Sequence, residues 1–443
     1  MASPAQAWTG LWAHPDAQGH RYNDLDYWLE LARTAERGLI DGIFLADALG
    51  VNEVYEGKPD AIMRSGGMFP SNDPMMLVSA MAAATQHLCF GITANTTHEP
   101  PYLLARRLST LDHLTKGRLS WNVVTGILAS TALAVGVTPI AHDKRYDLAD
   151  EFMDLMYKLW EESWDTAAAV RDKASRIFTE PGLVRKVLHA GRYRCEGYHL
   201  CEPSPQRTPL IYAAGSSGRG TAFAGKHAEA AFTAANDMRS AKRIVSNYRK
   251  AAEQSGRSAD SIKVFNVATV IVAPTEAEAR DLKRTYEEYS SEKGNLAMMS
   301  SFLGIDLSQY DPDDPIEYVE SNAMQTAIEA MTKFNDGKKV RVRDIAAFDD
   351  VPGREPFIVG SATQVCDKMI DWVDETGLDG FNLVRTVEPA GLEAFVDLVV
   401  PELQNRGRYK TEYAKGTMRE KFFPAGGAML PDDHHGANFR QPF

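Results

Sequence analysis

Cysteine is scarce: Cys89, Cys195, Cys201 and Cys366 are four among 443 residues. They make no CxxC pair and no regular zinc-ligand spacing, which excludes a disulfide framework and a structural zinc module. Only Cys195 and Cys201 lie close in the sequence. Positive charge is also short. Lys and Arg number 48 against 60 Asp and Glu, for a formal charge of -12 and a pI near 5.5. Nucleic acid is therefore not an expected general partner, although a local basic pocket for one small phosphate fits that balance. Apolar runs are short: none approaches the roughly 20 residues of a membrane span. The opening MASPAQAWTGLWAHPD has no signal-peptide core, so a reducing cytoplasm without membrane association is expected. The sequence also lacks GxSxG, HExxH and a dinucleotide fingerprint in strand-and-helix context. No activated serine or cysteine stands beside His98 or His142. The run Asp432-Asp433-His434-His435 sits in a polar tail and reads as a solvated turn rather than a metal cluster.

What the chain does have is a recurring cadence of helix and short apolar strand. DYWLELARTAERG, PMMLVSAMAAAT and PYLLARRLSTLDHLT carry apolar residues three and four apart, as helices do. The runs GIFLAD, LCFGITA, RLSWNVVT, PLIYAAG, EAAFTA, IKVFNVATVIVA and GFNLVRT read as strands. Nearly continuous apolar strands between helices predict a parallel sheet covered on both faces. The number of units predicts an α/β fold of the TIM-like (β/α)8 barrel type, one domain over residues 1–443. A barrel needs roughly 250 residues. The excess is placed in insertions at 161–208 and 291–355 and in a C-terminal extension, 404–443, suited to wrapping a neighbouring subunit.

Candidate site residues cluster where strands end. AAGSSGRG, residues 213–220, joins a strand to a helix. Its glycines allow close backbone approach, Ser216 and Ser217 offer hydroxyls, and the helix after Gly218 presents free N–H groups to an anion. A phosphate nest and an ordinary helix cap both fit, and Arg219 either adds a charge or points to solvent. Asp47 ends GIFLAD, at the barrel end where chemistry concentrates. Asn95, Thr96, Thr97, His98 and Glu99 end the next strand; Thr97 suits a ligand contact, and His98 suits substrate orientation or proton transfer. Asn122, on SWNVVT, offers both a donor and an acceptor to a heterocycle edge, whereas Trp121 reads as core. His142, Arg145 and Tyr146 precede a helix, as a second proton-transfer group and as contacts to phosphate or a ring.

The ordered series GIFLAD, SNDPMMLVSAMAAAT, PPYLLARRLSTLDHLTKGR, WNVVT, HDKRYDLADEF, CEPSPQRTP, AAGSSGRG, FAGKHAEAAF and DGFNLV resembles the bacterial-luciferase-like flavin monooxygenases. Within them it resembles the nitrilotriacetate, dibenzothiophene-sulfone and dimethyl-sulfide monooxygenase group. That resemblance, over most of residues 7–415, implies a TIM-like barrel using reduced FMN (FMNH2) and O2 to oxidise or cleave a small organosulfur or heteroatom-containing substrate. It implies a separate NAD(P)H-dependent flavin reductase and a homodimer or homotetramer. It places Asp47, Thr97 and Asn122 along the isoalloxazine, and Tyr146, Ser216, Ser217 and Gly218 at the ribityl phosphate, with His98 and His142 as chemical or orienting groups. The alternatives within the resemblance are a flavin-dependent lyase that breaks the ribityl C–N bond of riboflavin and a flavin-binding homologue without turnover. Two departures stand out. GLWAHP begins already at Gly10, so the first barrel strand is expected to be missing or atypical. The stretch after WNVVT is apolar at Gly126, Ile127, Ala129 and Ala134, which implies a less polar substrate cavity or a displaced loop.

Overall fold

The computed structural model describes the chain apart from residues 6–7, 127, 216, 318–324, 333–338 and 348–354; at 129, 142, 325, 326 and 330 only the backbone is described. Its strands are β1 (Gly42–Leu45), β2 (Cys89–Asn95), β3 (Leu119–Val124), β4 (Lys186–Ala190), β5 (Arg194–Tyr198), β6 (Leu210–Ala214), β7 (Ala230–Thr233), β8 (Lys263–Val272), β9 (Phe357–Gly360) and β10 (Gly380–Leu383). Parallel pairing runs β1-β2-β3-β6-β7-β8-β10. The C-terminal half of β8 also carries β9 in parallel. Helices connect successive strands, among them Met75–Ala83, Pro101–Leu114, His142–Tyr157, Gly218–His227 and Met238–Gln254. The result is a TIM-like barrel with insertions. The antiparallel hairpin β4-β5 stands off it.

Local chemistry accounts for these elements. In helix Met238–Gln254, Asp237 accepts from the Ser240 amide, and Ala241, Val245, Tyr248 and Ala252 are buried along one stripe. On β2 the residues from Cys89 to Ala94 are all buried, as a parallel strand covered on both faces requires. Trp121 is wholly buried and its indole N–H donates to Ala94 O at 3.1 Å, so the packing reading holds for it. Periodicity did not mark β9 or the β4-β5 hairpin, because four- and five-residue strands of mixed burial carry too little pattern.

The C-terminal extension packs on its own barrel. Tyr413 donates to Ile40 O at 2.6 Å and Lys421 to His87 O at 2.6 Å, both just before a strand. Buried Arg419 pairs with buried Glu229 at 2.6 and 2.8 Å and donates to Thr208 O at 2.9 Å. Met418 and Phe422 thereby close the end of the barrel where strands begin, against Tyr212 and Phe265. The acidic-histidine run departs from the expected solvated turn in its histidines alone: Asp432 and Asp433 are exposed. His434 is fully buried with its Nε2 2.9 Å from His227 O, and His435 Nε2 lies 2.8 Å from Asp154 Oδ1. The two histidines are polar because they satisfy partners within the fold, not because they face water.

Among the described residues no strand joins β10 back to β1. The open place is that of the first strand, which the sequence led us to expect as missing or atypical.

Candidate active site

A cavity of about 580 Å3 opens at the end of the barrel where strands finish. Asp47 enters it two residues beyond β1, Thr93 and Asn95 from β2, Thr125 and Gly126 after β3, and Gly215 after β6. Tyr146 and Arg145 come from the first turn of helix His142–Tyr157. The sequence reading put His142, Arg145 and Tyr146 ahead of that helix. The structure puts them inside it, at spacings of three and four that share one face.

The turn after β6 is built around Tyr146. A Cβ on Gly215 would stand 2.8 Å from the Tyr146 hydroxyl. One on Gly220 would meet that hydroxyl at 2.8 Å and Gly215 O at 2.7 Å. Side chains are excluded at both positions, so the turn folds flat against the phenol. Tyr248 donates to Gly215 O at 3.0 Å from the other side. Ser217 caps helix Gly218–His227 by accepting from the Gly220 amide at 3.1 Å, and it hydrogen-bonds Tyr146, whose phenol burial pushes above its ordinary pKa. Arg219 turns away from the cavity to Asp147, 2.6 Å away, and so clamps this helix to helix His142–Tyr157.

Asp47 accepts from the Ala48 amide at 2.9 Å. Burial, seconded by the charge of Asp73, pushes its carboxyl up to about 6 against that backbone bond. Arg107 and Glu99 pair at 3.1 Å on the cavity wall. Leu49, Val51, Met68, Leu128 and Phe302 supply apolar area to the wall, between polar groups that include Asn72, Asp73 and Thr131.

Asp47, Tyr146 and Ser217 thus line one cavity. Gly218 opens the adjacent helix. Asn122 is set back behind Thr93, to whose hydroxyl its amide donates at 3.1 Å, while its Oδ1 is buried with no hydrogen-bond partner among the described residues. Thr97 does not line the wall; its hydroxyl donates to Thr125 O at 2.8 Å and ties two strand ends together. His98 is also set back. Burial, then the charge of Arg145, holds its imidazole below the ordinary value, and its Nδ1 has no partner among the described residues. The His142 side chain, Ser216 and Ile127 lie outside the described residues. Gly126 takes a φ of 72°, and Leu128 beside it lines the cavity, whereas Ala134 faces out. Sequence reading missed Thr93 and Phe302: each sits inside an apolar run, and nothing local distinguishes it from core.

The cavity suits an elongated amphipathic ligand. The glycine-lined turn and the helix N-terminus fit an anionic end, and the apolar walls with a few polar groups fit a flat heterocycle. Comparison with known proteins agrees. Residues 8–380 match the family model for luciferase-like monooxygenases. The chain is 44% identical to the dimethyl-sulfide monooxygenase of Hyphomicrobium sulfonivorans, over 98% of this chain and 91% of that one. It is 46% identical to the long-chain alkane monooxygenase of Geobacillus thermodenitrificans (strain NG80-2), over 97% and 94%. A crystal structure of a riboflavin lyase with modified FMN and riboflavin superposes with a TM-score of 0.91 at 35% identity, covering 99% of this chain and 98% of that one.

Proposed function

Because the chain belongs to the luciferase-like monooxygenase family and is a flavin-dependent monooxygenase, we propose that it is the oxygenating component of a two-component system, served by a separate NAD(P)H-dependent flavin reductase. It takes reduced FMN and O2 and oxidises or cleaves a small, predominantly apolar, heteroatom-containing substrate. The observation that carries this reading is the single cavity joining Asp47 to the Gly215–Gly220 turn.

The residues fit the cofactor. The turn is closed against Tyr146 at Gly215 and Gly220 but open at Gly218, where an added Cβ would meet nothing within 4 Å, and the helix that Gly218 starts offers free N–H groups to an anion. Tyr146, Ser217 and the Gly218 backbone, with Ser216, hold the phosphate. Asp47 and the Asn122–Thr93 pair orient the ring; the unpaired Asn122 Oδ1 is an acceptor awaiting a donor. Reduced FMN, when bound, supplies the electrons that activate dioxygen. The chain's own groups position, desolvate and handle protons. Thr97 fixes the β2 and β3 ends relative to each other. His98, whose imidazole burial holds below its ordinary value, serves as a proton acceptor or orienting group behind the wall, with His142 as the second candidate. Leu49, Val51, Met68, Leu128 and Phe302 exclude water and select an uncharged substrate.

The test is a substrate screen with mass detection of products, run over thioethers, alkanes, amines and heterocycles. Product is expected only when reduced FMN and O2 are both supplied. Absence of any product across these classes in a folded preparation that binds FMN would reject the reading. The competing reading is riboflavin C–N cleavage, favoured by the superposition on the riboflavin lyase. Loss of the ribityl chain from riboflavin in the same screen would select it.

A further inference from the structure

The hairpin β4-β5 stands off the barrel, yet its turn reaches the site from behind. The turn, residues 191–193, sits on helix His142–Tyr157. Glu151 of that helix accepts from the Tyr193 amide at 3.1 Å and lies 3.2 Å from His189 Nε2. A Cβ on Gly191 would overlap the same Glu151 oxygen, so the turn folds flat onto the carboxylate. The Tyr193 ring meets Phe152 edge-on, with centroids 5.2 Å apart. Burial, then the charge of Glu151, pushes its phenol up to about 12, so it keeps its proton and donates to Thr96 O at 2.8 Å. Thr96 is 1% exposed. It stands between Asn95, which lines the site cavity, and Thr97, which ties the ends of β2 and β3 together. The Thr96 amide donates to Val124 O at 3.0 Å, and Asn95 Oδ1 accepts from the Thr97 amide at 2.7 Å. Glu99, whose amide donates to Asn95 O, returns to the cavity wall. Residues 95–99 are thus held by β3 on one side and by the hairpin on the other.

We propose that Tyr193 is a positioning residue for the active site: through Thr96 O it fixes the loop that carries Asn95, His98 and Glu99, and so makes the 161–208 insertion part of that site. The role rests on the reading of the cavity as the place of the flavin and the substrate. A buried carbonyl needs a donor. Thr96 lies one residue past β2, where the ladder to β3 has ended, so strand pairing does not supply it. The donor comes instead from 97 positions further along the chain. Its geometry is set twice over, by Glu151 on the turn and by Phe152 on the ring, both from the helix that also carries Tyr146 into the cavity. One helix therefore sets the phosphate side of the cavity directly and the β2 end through the hairpin. Precision of this kind matters, because a displacement of about 1 Å at a reacting group costs up to about 100-fold in rate.

The test compares the full chain with three variants. Tyr193→Phe removes the hydroxyl and keeps the ring on Phe152. Gly191→Ala drives the turn off Glu151. Lys158→Met cuts the bond from Lys158 Nζ to Leu188 O, 3.2 Å, and so loosens β4 at a point away from the turn. Tyr193→Phe is expected to lower Tm by no more than about 4 °C. Hydrogen exchange at the Thr96, Thr97 and Glu99 amides should nevertheless speed up about tenfold. FMN affinity, by fluorescence titration, should fall about fivefold, with a changed visible circular dichroism of the bound flavin. Gly191→Ala should repeat these effects, because it carries Tyr193 away with the turn. Lys158→Met should leave loop exchange and FMN affinity within about twofold of the parent. Unchanged loop exchange in Tyr193→Phe would overturn the proposal. So would equal acceleration in Lys158→Met, which would make the hairpin's general stability the cause, or faster exchange with FMN affinity and dichroism unmoved. A parent protein that binds no FMN would defeat the flavin reading instead, and the exchange comparison would still decide whether Tyr193 holds the loop.

Discussion

The barrel holds two cavities of similar size, and they differ in what points into them. The site cavity, about 580 Å3, gathers side chains from the ends of β1, β2, β3 and β6 and from a helix first turn: a carboxylate, a phenol, hydroxyls and a guanidinium on apolar walls. The slot cavity, about 620 Å3, is bordered by the edges of β1 and β10, by aromatic rings and, at its ends, by charged groups such as Asp41, Arg385 and Glu388. In the site cavity the polar groups come from the ends of four neighbouring strands, where barrel chemistry concentrates, whereas the slot lies between two strand edges unpaired among the described residues.

Four variants sharpen that contrast. Arg419→Ala should have the largest effect on the fold. It leaves Glu229 buried and unpaired and frees the Met418–Phe422 floor beneath the slot, at a cost of about 3–5 kcal/mol in denaturant unfolding. Any change in FMN affinity should then follow only the unfolded fraction. An intact midpoint would break the claim that the tail closes this end. Gly220→Ala acts on the other cavity. Its Cβ overlaps Gly215 O and the Tyr146 hydroxyl, so FMN binding by fluorescence titration should weaken by about 10–100-fold. The slot amides should exchange as before. Unaltered FMN affinity would remove the phosphate assignment.

Ser217→Ala is milder. Loss of the cap costs about 1 kcal/mol, and FMN should lose about fivefold more affinity than riboflavin, which lacks the phosphate. Equal small losses for both ligands would leave Ser217 as a cap and nothing more. The smallest effect belongs to Asp47. Its carboxyl ionises near 6 in the fold, against about 4 in an unfolded chain. The folded state therefore holds the proton more tightly between those values. Its contribution to stability is full below about pH 4 and is lost as pH rises through about 6, amounting to about 1 kcal/mol after allowance for its partial exposure. Asp47→Asn should flatten that stretch of the stability profile. An unchanged profile would place the ionisation elsewhere.

The difference between the cavities also explains what could be read in advance. AAGSSGRG carries its meaning locally: glycines, hydroxyls and a helix start within eight residues. Asp47 was legible because a carboxylate ending an apolar strand of a barrel stands on the functional face. Thr93 and Phe302 were not, since only the packing of distant elements turns one member of an apolar run toward a ligand. The histidines of the C-terminal tail were misjudged for the same reason. Arg419, His434 and His435 are polar residues whose partners lie far away in sequence, and composition alone assigns such residues to water.

By itself the sequence determined the barrel, because periodicity, strand-ending polar residues and the glycine turn are short-range properties written into consecutive residues, and its ordered motifs carried the family resemblance. It also flagged the first-strand position. Only the tertiary structure decided that the Gly215–Gly220 turn and Asp47 face one cavity, that the tail closes the opposite end, and that β1 and β10 leave a slot between them. Those are distances between residues far apart in the chain, set by how side chains fill space once the barrel has formed.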